Sequence, residues 1–256
     1  MKILVTGYKG FIGSHIFNDL KSKNYTVYGY DLGDILEDVK YDVIIHMAAR
    51  GLIRESKKHP YEYFKDDLKL SVKFLELARK NNSVFIFPSS GSIKEATNPY
   101  SLSKKNSEEW IELYNKLYGL KYYILKFFNI YGPGSRKGAV YLFSRAAINN
   151  EMATVFGNGS HIRDYVYIDD VVNLINDIIN NKINPGKYEV GTGTGTGVNE
   201  LINKIEKITD KKIDVKYEDY IVPEADKLIA DNPILKNYHD LDYGIKNVIE
   251  FINNDK

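Results

Sequence analysis

The stretch that most constrains this chain is its beginning. Lys2–Thr6 is an apolar, strand-forming run that passes directly into Gly7-Tyr8-Lys9-Gly10-Phe11-Ile12-Gly13, and an amphipathic stretch of helical length follows. Glycines at this spacing permit a tight turn, close approach of backbone to a ligand, and close packing of the helix on the strand. The helix N-terminus then presents free N–H groups and the positive end of a dipole, a ready site for a pyrophosphate. The next strand ends at Asp31, 24 residues after Gly7, followed by Leu32. A carboxylate there accepts hydrogen bonds from ribose hydroxyls and repels a 2′-phosphate, so the pattern predicts NAD rather than NADP.

The pattern continues past the turn. Strands are expected at Thr26–Asp31, Asp42–Ala48, Val84–Pro88 and Tyr122–Phe128, and helices at Phe11–Ser22, about Tyr61–Asn81, and Pro99–Tyr118. Alternating strands and helices, with strands apolar on both faces, predict an α/β fold: a Rossmann-type doubly wound parallel sheet covered by helices. The helix from Pro99 has its own signals, with Asn98 as cap, Pro99 in the first position and Gly119 at the end. After about residue 132 the elements shorten. The expected organisation is a dinucleotide-binding domain over 1–132 and a smaller α/β substrate lobe over 133–256, with 165–192 returning to pack on the first domain.

Composition enters mainly by exclusion. The chain has no cysteine, so thiol catalysis, disulfides and zinc–cysteine sites are out. Its five histidines lack ligand spacing, and no metal site is expected. A net charge of +1 provides no broad basic surface for nucleic acid or anionic membranes. No apolar run approaches the roughly 18 residues of a membrane helix, and Met1 leads straight into a strand pattern with no leader-like region. A cytoplasmic protein is the expectation.

A second constellation carries chemistry. Tyr100-Ser101-Leu102-Ser103-Lys104 places a phenol and an ammonium at i and i+4 on one helix face. A cation beside a tyrosine favours the phenolate and is expected to draw the phenol down toward neutrality. Ser90, ten residues earlier, sits at the carboxyl edge of the sheet, where open α/β proteins bind ligands. The same Tyr-x-x-x-Lys spacing recurs at Tyr61/Lys65 and Tyr122/Lys126. Place in the fold selects Tyr100.

The ordered motifs TGYKGFIG at Thr6–Gly13, HMAA at His46–Ala49, Ser89-Ser90, and PYSLSK at Pro99–Lys104 carry a resemblance. KFFNIYGPG at Lys126–Gly134, RDYVYIDDV at Arg163–Val171, and YEVGTG with VNEL between Tyr188 and Leu201 extend it over nearly the whole chain. Together they resemble the extended short-chain dehydrogenase/reductase family, in its NAD-dependent nucleotide-sugar epimerase/dehydratase branch. The resemblance implies Tyr100 as acid/base, Lys104 as its activator and nicotinamide-ribose ligand, and Ser90 as partner hydroxyl. It implies Gly7, Gly10, Phe11, Ile12, Gly13, Asp31, Leu32, Ala48 and Ala49 around NAD. Asn129 and Arg163 would contact the substrate diphosphate alongside Ser90 and Tyr100, and a homodimer is expected. Arg163 has a second reading as an ion-pair partner of Asp164 or Asp169.

Several departures from the family pattern stand out. The Ser90–Tyr100 segment is cut short, with Ile93-Lys94-Glu95 where a Tyr-Gly strand end is usual. The stretch from Asp31 to Asp42 is too short for an extra strand, and Asp67 stands where the family carries Asn. Near Val222-Pro223-Glu224-Ala225-Asp226 the usual arginine of the sugar-nucleotide clamp is missing, leaving Arg136 and Lys227 as candidates. Dehydratases of the branch carry an Asp-Glu pair after the serine, whereas Gly91-Ser92 here cannot move protons in that way. The remaining readings are an epimerase at C4 working through a 4-keto sugar, a nucleotide-4-keto-sugar reductase using NAD(P)H, and a non-catalytic NAD-binding regulator. Asp31 favours the first, which recycles its cofactor. The Gly191–Gly197 tract looks like a second phosphate loop, but the family resemblance makes it a strand-end turn.

Overall fold

The computed structural model describes residues 1–94, 97–219 and 225–255. The chain opens with β1 (Lys2–Thr6), α1 (Phe11–Ser22), β2 (Thr26–Tyr30), β3 (Val43–His46), α2 (Ile53–Lys58) and α3 (Pro60–Tyr63). A π-helical turn at Phe64–Lys69 leads into α4 (Leu70–Asn81), then β4 (Val84–Ser90), α5 (Pro99–Tyr118) and β5 (Tyr122–Phe127). Next come β6 (Asn129–Tyr131), α6 (Ala139–Asn149), β7 (Ala153–Phe156), β8 (Ile162–Arg163), β9 (Tyr165–Tyr167) and α7 (Ile168–Ile179). The chain closes with β10 (Gly186–Val190), β11 (Thr196–Gly197), α8 (Val198–Thr209), β12 (Val215–Glu218), β13 (Lys227–Leu228) and α9 (Leu241–Asn254). These fall into two compact units, Met1–Phe127 with Val172–Tyr188, and Phe128–Val171 with Glu189–Lys256.

The first unit is built on a six-stranded sheet in the order β10-β5-β4-β3-β1-β2, with β1 to β5 pairing in parallel. Its inner strands β1, β3, β4 and β5 are buried on both faces, as the apolar runs require. Leu4, Ile44, Phe85, Phe87 and Ile124 pack with Phe74, Leu75 and Ala78 of α4 and Ile111 of α5. The alternate positions Ile3, Val5, Ile45, Ile86 and Leu125 are also buried and face the opposite side. The strand order reverses beside β1, so the carboxyl ends of β1 and β3 form the switch point where α/β sheets take ligands. No strand forms between Tyr30 and Val43, which shortens that edge of the sheet as the sequence predicts.

Local signals and tertiary forces divide the helices between them. Helix α5 runs over the residues expected, with the Asn98 Oδ1 accepting the Ser101 amide at 2.9 Å and Gly119 closing it at φ 67°. Such a cap is worth about 1 kcal/mol. The segment expected as one helix from Tyr61 to Asn81 is instead α3, the π turn and α4. The hydrophobic period there is helical throughout, and a single wide turn leaves too small a phase change for that pattern to register.

Among the described residues, the second unit holds three small sheets: β6 with β9, β7 with β12, and β8 between β11 and β13. Its organising residue is Asp164, which has no exposed surface. The carboxylate accepts the amides of Thr192 (2.9 Å), Gly193 (3.0 Å) and Ala230 (3.2 Å) and the Thr192 hydroxyl (2.6 Å). The glycine/threonine tract is therefore an anion-binding turn whose anion is internal.

Candidate active site

At the switch point three backbone segments converge. Gly7 turns the chain at φ +68°, and a Cβ there would meet the Ala48 nitrogen at 2.7 Å. A Cβ on Gly13 would meet the Gly7 carbonyl oxygen at 2.1 Å. Only glycine lets the end of β1, the start of α1 and the end of β3 come this close. Gly10, by contrast, is exposed, and its Cβ would meet nothing but the Gly7 oxygen at 3.2 Å. Its side stays open to a ligand. Helix α1 begins there without a side-chain cap, so no side chain covers its first amides.

The residues around the turn suit a dinucleotide. Asp31 follows β2 directly and is half-buried, its carboxylate accepting the Leu32 amide at 2.8 Å. Phe11 and Ile12 are half-buried, Ala48 is buried, and Leu32 and Ala49 are exposed at the rim. Amide donors for a pyrophosphate and a carboxylate for ribose hydroxyls are the donor set that NAD requires. Sequence reasoning passed over one contact here, Lys9 Nζ bound to Asp34 at 2.7 Å. A cation inside the glycine turn and an acid three residues after Asp31 were its visible signals.

Beneath the turn lies a buried polar chain that the sequence reading also missed. His46 Nδ1 is 2.7 Å from the Thr6 hydroxyl, His46 Nε2 is 3.1 Å from the Ser71 hydroxyl, and the Thr6 Oγ1 accepts the Ala48 amide. The Ser71 hydroxyl in turn donates to the Asp67 carbonyl at 2.6 Å. Among Phe74, Phe85 and Phe87, burial pushes the His46 imidazole down to about 3, so it is neutral and joins β1, β3 and α4 by hydrogen bonds alone.

The acid/base residues gather at the ends of β4 and α5. The Tyr100 hydroxyl is hydrogen-bonded to Ser90, whose Oγ is 2.9 Å from the Ser92 hydroxyl. Tyr63 stands edge-on to the Tyr100 ring at 6.5 Å. Lys104 is buried, and its Nζ donates to the Pro88 carbonyl at 2.8 Å and lies 4.6 Å from the Phe87 ring. Burial drives the Tyr100 phenol up to about 12, against the Ser90 hydrogen bond that favours the phenolate. The expectation that Lys104 draws Tyr100 toward neutrality is corrected here: desolvation and the charge of Asp67 raise the phenol, Lys104 is not among the groups that act on it, and burial pushes Lys104 itself down to about 8. The look-alike pairs separate cleanly. Tyr61 is 69% exposed with Lys65 beside Asp66, and Tyr122 and Lys126 belong to β5.

In the second unit, Asn129 donates both its main-chain N–H (3.0 Å) and its Nδ2 (3.3 Å) to the Asp164 carbonyl. Arg163 donates from Nη1 to the Ala225 carbonyl at 2.9 Å. The Asp164 carboxylate is taken up by the backbone amides around Thr192, which accounts for its burial without an arginine partner. Of the two alternative phosphate cations, Arg136 is paired with Asp255 at 2.6 Å and Lys227 is exposed on β13. Glu95 and Val222-Pro223-Glu224 lie outside the described residues.

Comparison with known proteins settles the family. The model of the NAD-dependent epimerase/dehydratase family matches residues 3–191. The chain belongs to that family. Its cofactor is NAD. A Methanocaldococcus jannaschii protein named provisionally as a UDP-glucose 4-epimerase is 30% identical and covers 98% of both chains. That alignment runs over 315 positions against a chain of 256 residues, so this family member is internally trimmed. The UDP-glucose 4-epimerase of Thermotoga maritima, solved with UDP-glucose, superposes with a TM-score of 0.89 at 26% identity, over 100% of this chain and 99% of that one. The Thermus thermophilus UDP-glucose 4-epimerase in complex with NAD shares the fold, with a TM-score of 0.87 at 23% identity over the whole of both chains. Among the described residues, no helix is long and apolar enough to cross a membrane.

Proposed function

We propose that this family member is an NAD-dependent epimerase of a UDP-sugar, inverting C4 through a transient 4-keto sugar. The observation that carries the reading is the hydrogen-bonded Ser90/Tyr100 pair beside the buried Lys104, on the same carboxyl edge of the sheet as the Gly7 turn. NAD, which the Gly7 turn and Asp31 would hold, would supply reversible hydride transfer at C4, with inversion following when the 4-keto sugar turns its other face toward the cofactor. Tyr100 handles the proton at its phenolic oxygen, taking it from the 4-hydroxyl as phenolate and returning it as phenol. Ser90 donates to that oxygen and holds it in line, while Ser92 holds Ser90. Lys104, fixed on the Pro88 carbonyl, supplies the positive charge that the phenolate needs in a dry site.

Asn129 and Arg163 are the proposed contacts to the diphosphate, since a guanidinium matches phosphate oxygens in a bidentate, charge-assisted geometry. We also propose a homodimer through α5, on which Leu113 and Leu117 are 42% and 58% exposed, joined by Tyr61 and Phe64 at 69% and 51%. The cytoplasm, which holds soluble NAD, is the proposed compartment.

The test is incubation with catalytic NAD and UDP-glucose, UDP-glucuronate or UDP-N-acetylglucosamine. An isomer of unchanged mass with no net NADH supports the epimerase. Net NADH consumption with a 4-keto sugar, and no isomer, moves the assignment to the reductase. Tyr100→Phe is expected to lower kcat by about 10²–10⁴-fold while NAD still binds, measured by turnover and calorimetry. Turnover that survives in this variant removes Tyr100 from the mechanism.

A further inference from the structure

Lys104 is 5% exposed, and its Nζ donates to a neutral carbonyl, that of Pro88. An ammonium taken out of water and held by one carbonyl and one ring face is costly, and it needs a counter-charge nearby. Three buried carboxylates lie in this part of the unit, at Asp66, Asp67 and Glu108. Two of them are already engaged. Asp66 holds the Arg50 side chain at 2.7 Å and faces Lys65 at 3.6 Å. Glu108 accepts the Ser89 hydroxyl and pairs with Lys187 at 2.8 Å, and Lys187 also reaches Glu112 at 2.6 Å.

Asp67 differs from both. It is 2% exposed, and its Oδ1 accepts the Arg50 amide at 2.7 Å. Its Oδ2 is buried with no hydrogen-bond partner. A buried, unpartnered carboxylate oxygen in a native site calls for a functional account. The π-helical turn provides the means of placement, because it buries two adjacent acids at once. One Arg50 serves both, through its side chain to Asp66 and through its backbone to Asp67. The wide turn is also the kind of helix defect that collects at functional sites.

We propose that Asp67 is the counter-ion of Lys104, a positioning residue that keeps the buried ammonium charged so that it can support the Tyr100 phenolate. The clause about Tyr100 rests on the epimerase reading above, whereas the charge coupling does not: the π turn packs against α5, and Tyr63 just before it meets Tyr100, one turn ahead of Lys104. The two charges act on each other in the expected directions: Lys104 lowers Asp67, and Asp67 raises Lys104. Burial nonetheless carries Asp67 up to about 6 and Lys104 down to about 8, so both are ionised together between those values. The other groups acting on Asp67 are Asp66 on its own turn and Arg50 after β3, and Asp67 in turn raises Tyr63 and Tyr100. Those acting on Lys104 include Glu108, and Lys104 in turn lowers His46.

Asp67→Asn keeps the shape and the acceptor for the Arg50 amide and removes the charge. In protein labelled with ¹⁵N-lysine, the Lys104 Nζ resonance, assigned with Lys104→Met, is expected to titrate about one to three pH units lower in Asp67→Asn. The basic limb of the kcat profile moves down with it while KM holds, which a merely structural role would not produce. An unchanged Lys104 midpoint overturns the proposal. Should Asp67→Asn fail to fold, Lys104→Met in protein labelled at the aspartate carboxyls reads the same coupling from the other side. The Asp67 midpoint is expected to rise above about 6, and an unchanged midpoint again overturns the proposal. Neither NMR titration uses substrate, so a failure of the sugar reading leaves the charge coupling standing, and the reverse.

Discussion

The buried imidazole of His46 gives this protein a pH dependence that can be worked out from its surroundings. It has no exposed surface, lies among three phenylalanine rings, and in its neutral form makes hydrogen bonds to Thr6 and Ser71. Burial lowers it from 6.5 to about 3 in the folded state. Between those values the unfolded chain binds a proton that the folded chain refuses, so stability falls as pH falls, by up to about 1.4 kcal/mol per unit. From pH 7.5 to 4.5 the loss attributable to His46 is about 2–3 kcal/mol. Asp67 works the other way: its folded value of about 6 lies above the usual carboxylate value, so acid relieves the burial of its charge. The wild-type curve alone therefore mixes two opposite slopes. His46→Asn separates them, because Asp67 is common to both proteins. The assay is urea unfolding followed by the fluorescence of Trp110, the chain's one tryptophan, which lies on α5 in the same unit. The variant starts less stable at pH 7.5, by about 2–4 kcal/mol for the lost packing and hydrogen bonds. That gap is expected to shrink by about 2–3 kcal/mol at pH 4.5. A gap that stays constant with pH refutes the reasoning, since it would mean that His46 is protonated in the folded protein or unperturbed in both states.

Two further outcomes test other parts of the argument. Gly13→Ala puts a Cβ 2.1 Å from the Gly7 carbonyl oxygen, and every atom it meets is backbone, so the turn must open. NAD affinity measured by calorimetry is expected to fall at least about tenfold, and unchanged affinity would place the dinucleotide elsewhere. Asp164→Asn turns an NH₂ group toward the amides of Thr192, Gly193 and Ala230 and is expected to cost about 3 kcal/mol or more in denaturant unfolding of the second unit. A loss below about 1 kcal/mol would show that those amides find other acceptors.

What could be read from the sequence was what depends on near neighbours along the chain. The glycine turn, Asp31 and the capped helix from Pro99 each carry their cause within a few residues, and each stands in the structure where the sequence put it. The parallel sheet was legible because strands buried on both faces leave continuous apolar runs. The missing edge strand could be counted from the length of the Asp31–Asp42 stretch alone.

The tertiary structure decided the rest, because charge and burial are set by residues that the sequence holds far apart. Three Tyr-x-x-x-Lys pairs are equal in sequence, and only the fold brings Tyr100 onto Ser90 and buries Lys104. The phosphate-like Gly191–Gly197 tract gives its amides to Asp164, which lies 28 residues before Thr192. Asp67 could be marked as an oddity from the sequence. Its proposed role required knowing that Arg50 and Lys187 are taken by other acids while one Asp67 carboxylate oxygen stays buried without a partner. Pattern along a chain fixes backbone geometry, since that is governed by local sterics and periodic burial. The ionisation of a buried group answers to its desolvation and its surrounding charges, and only folding assembles those.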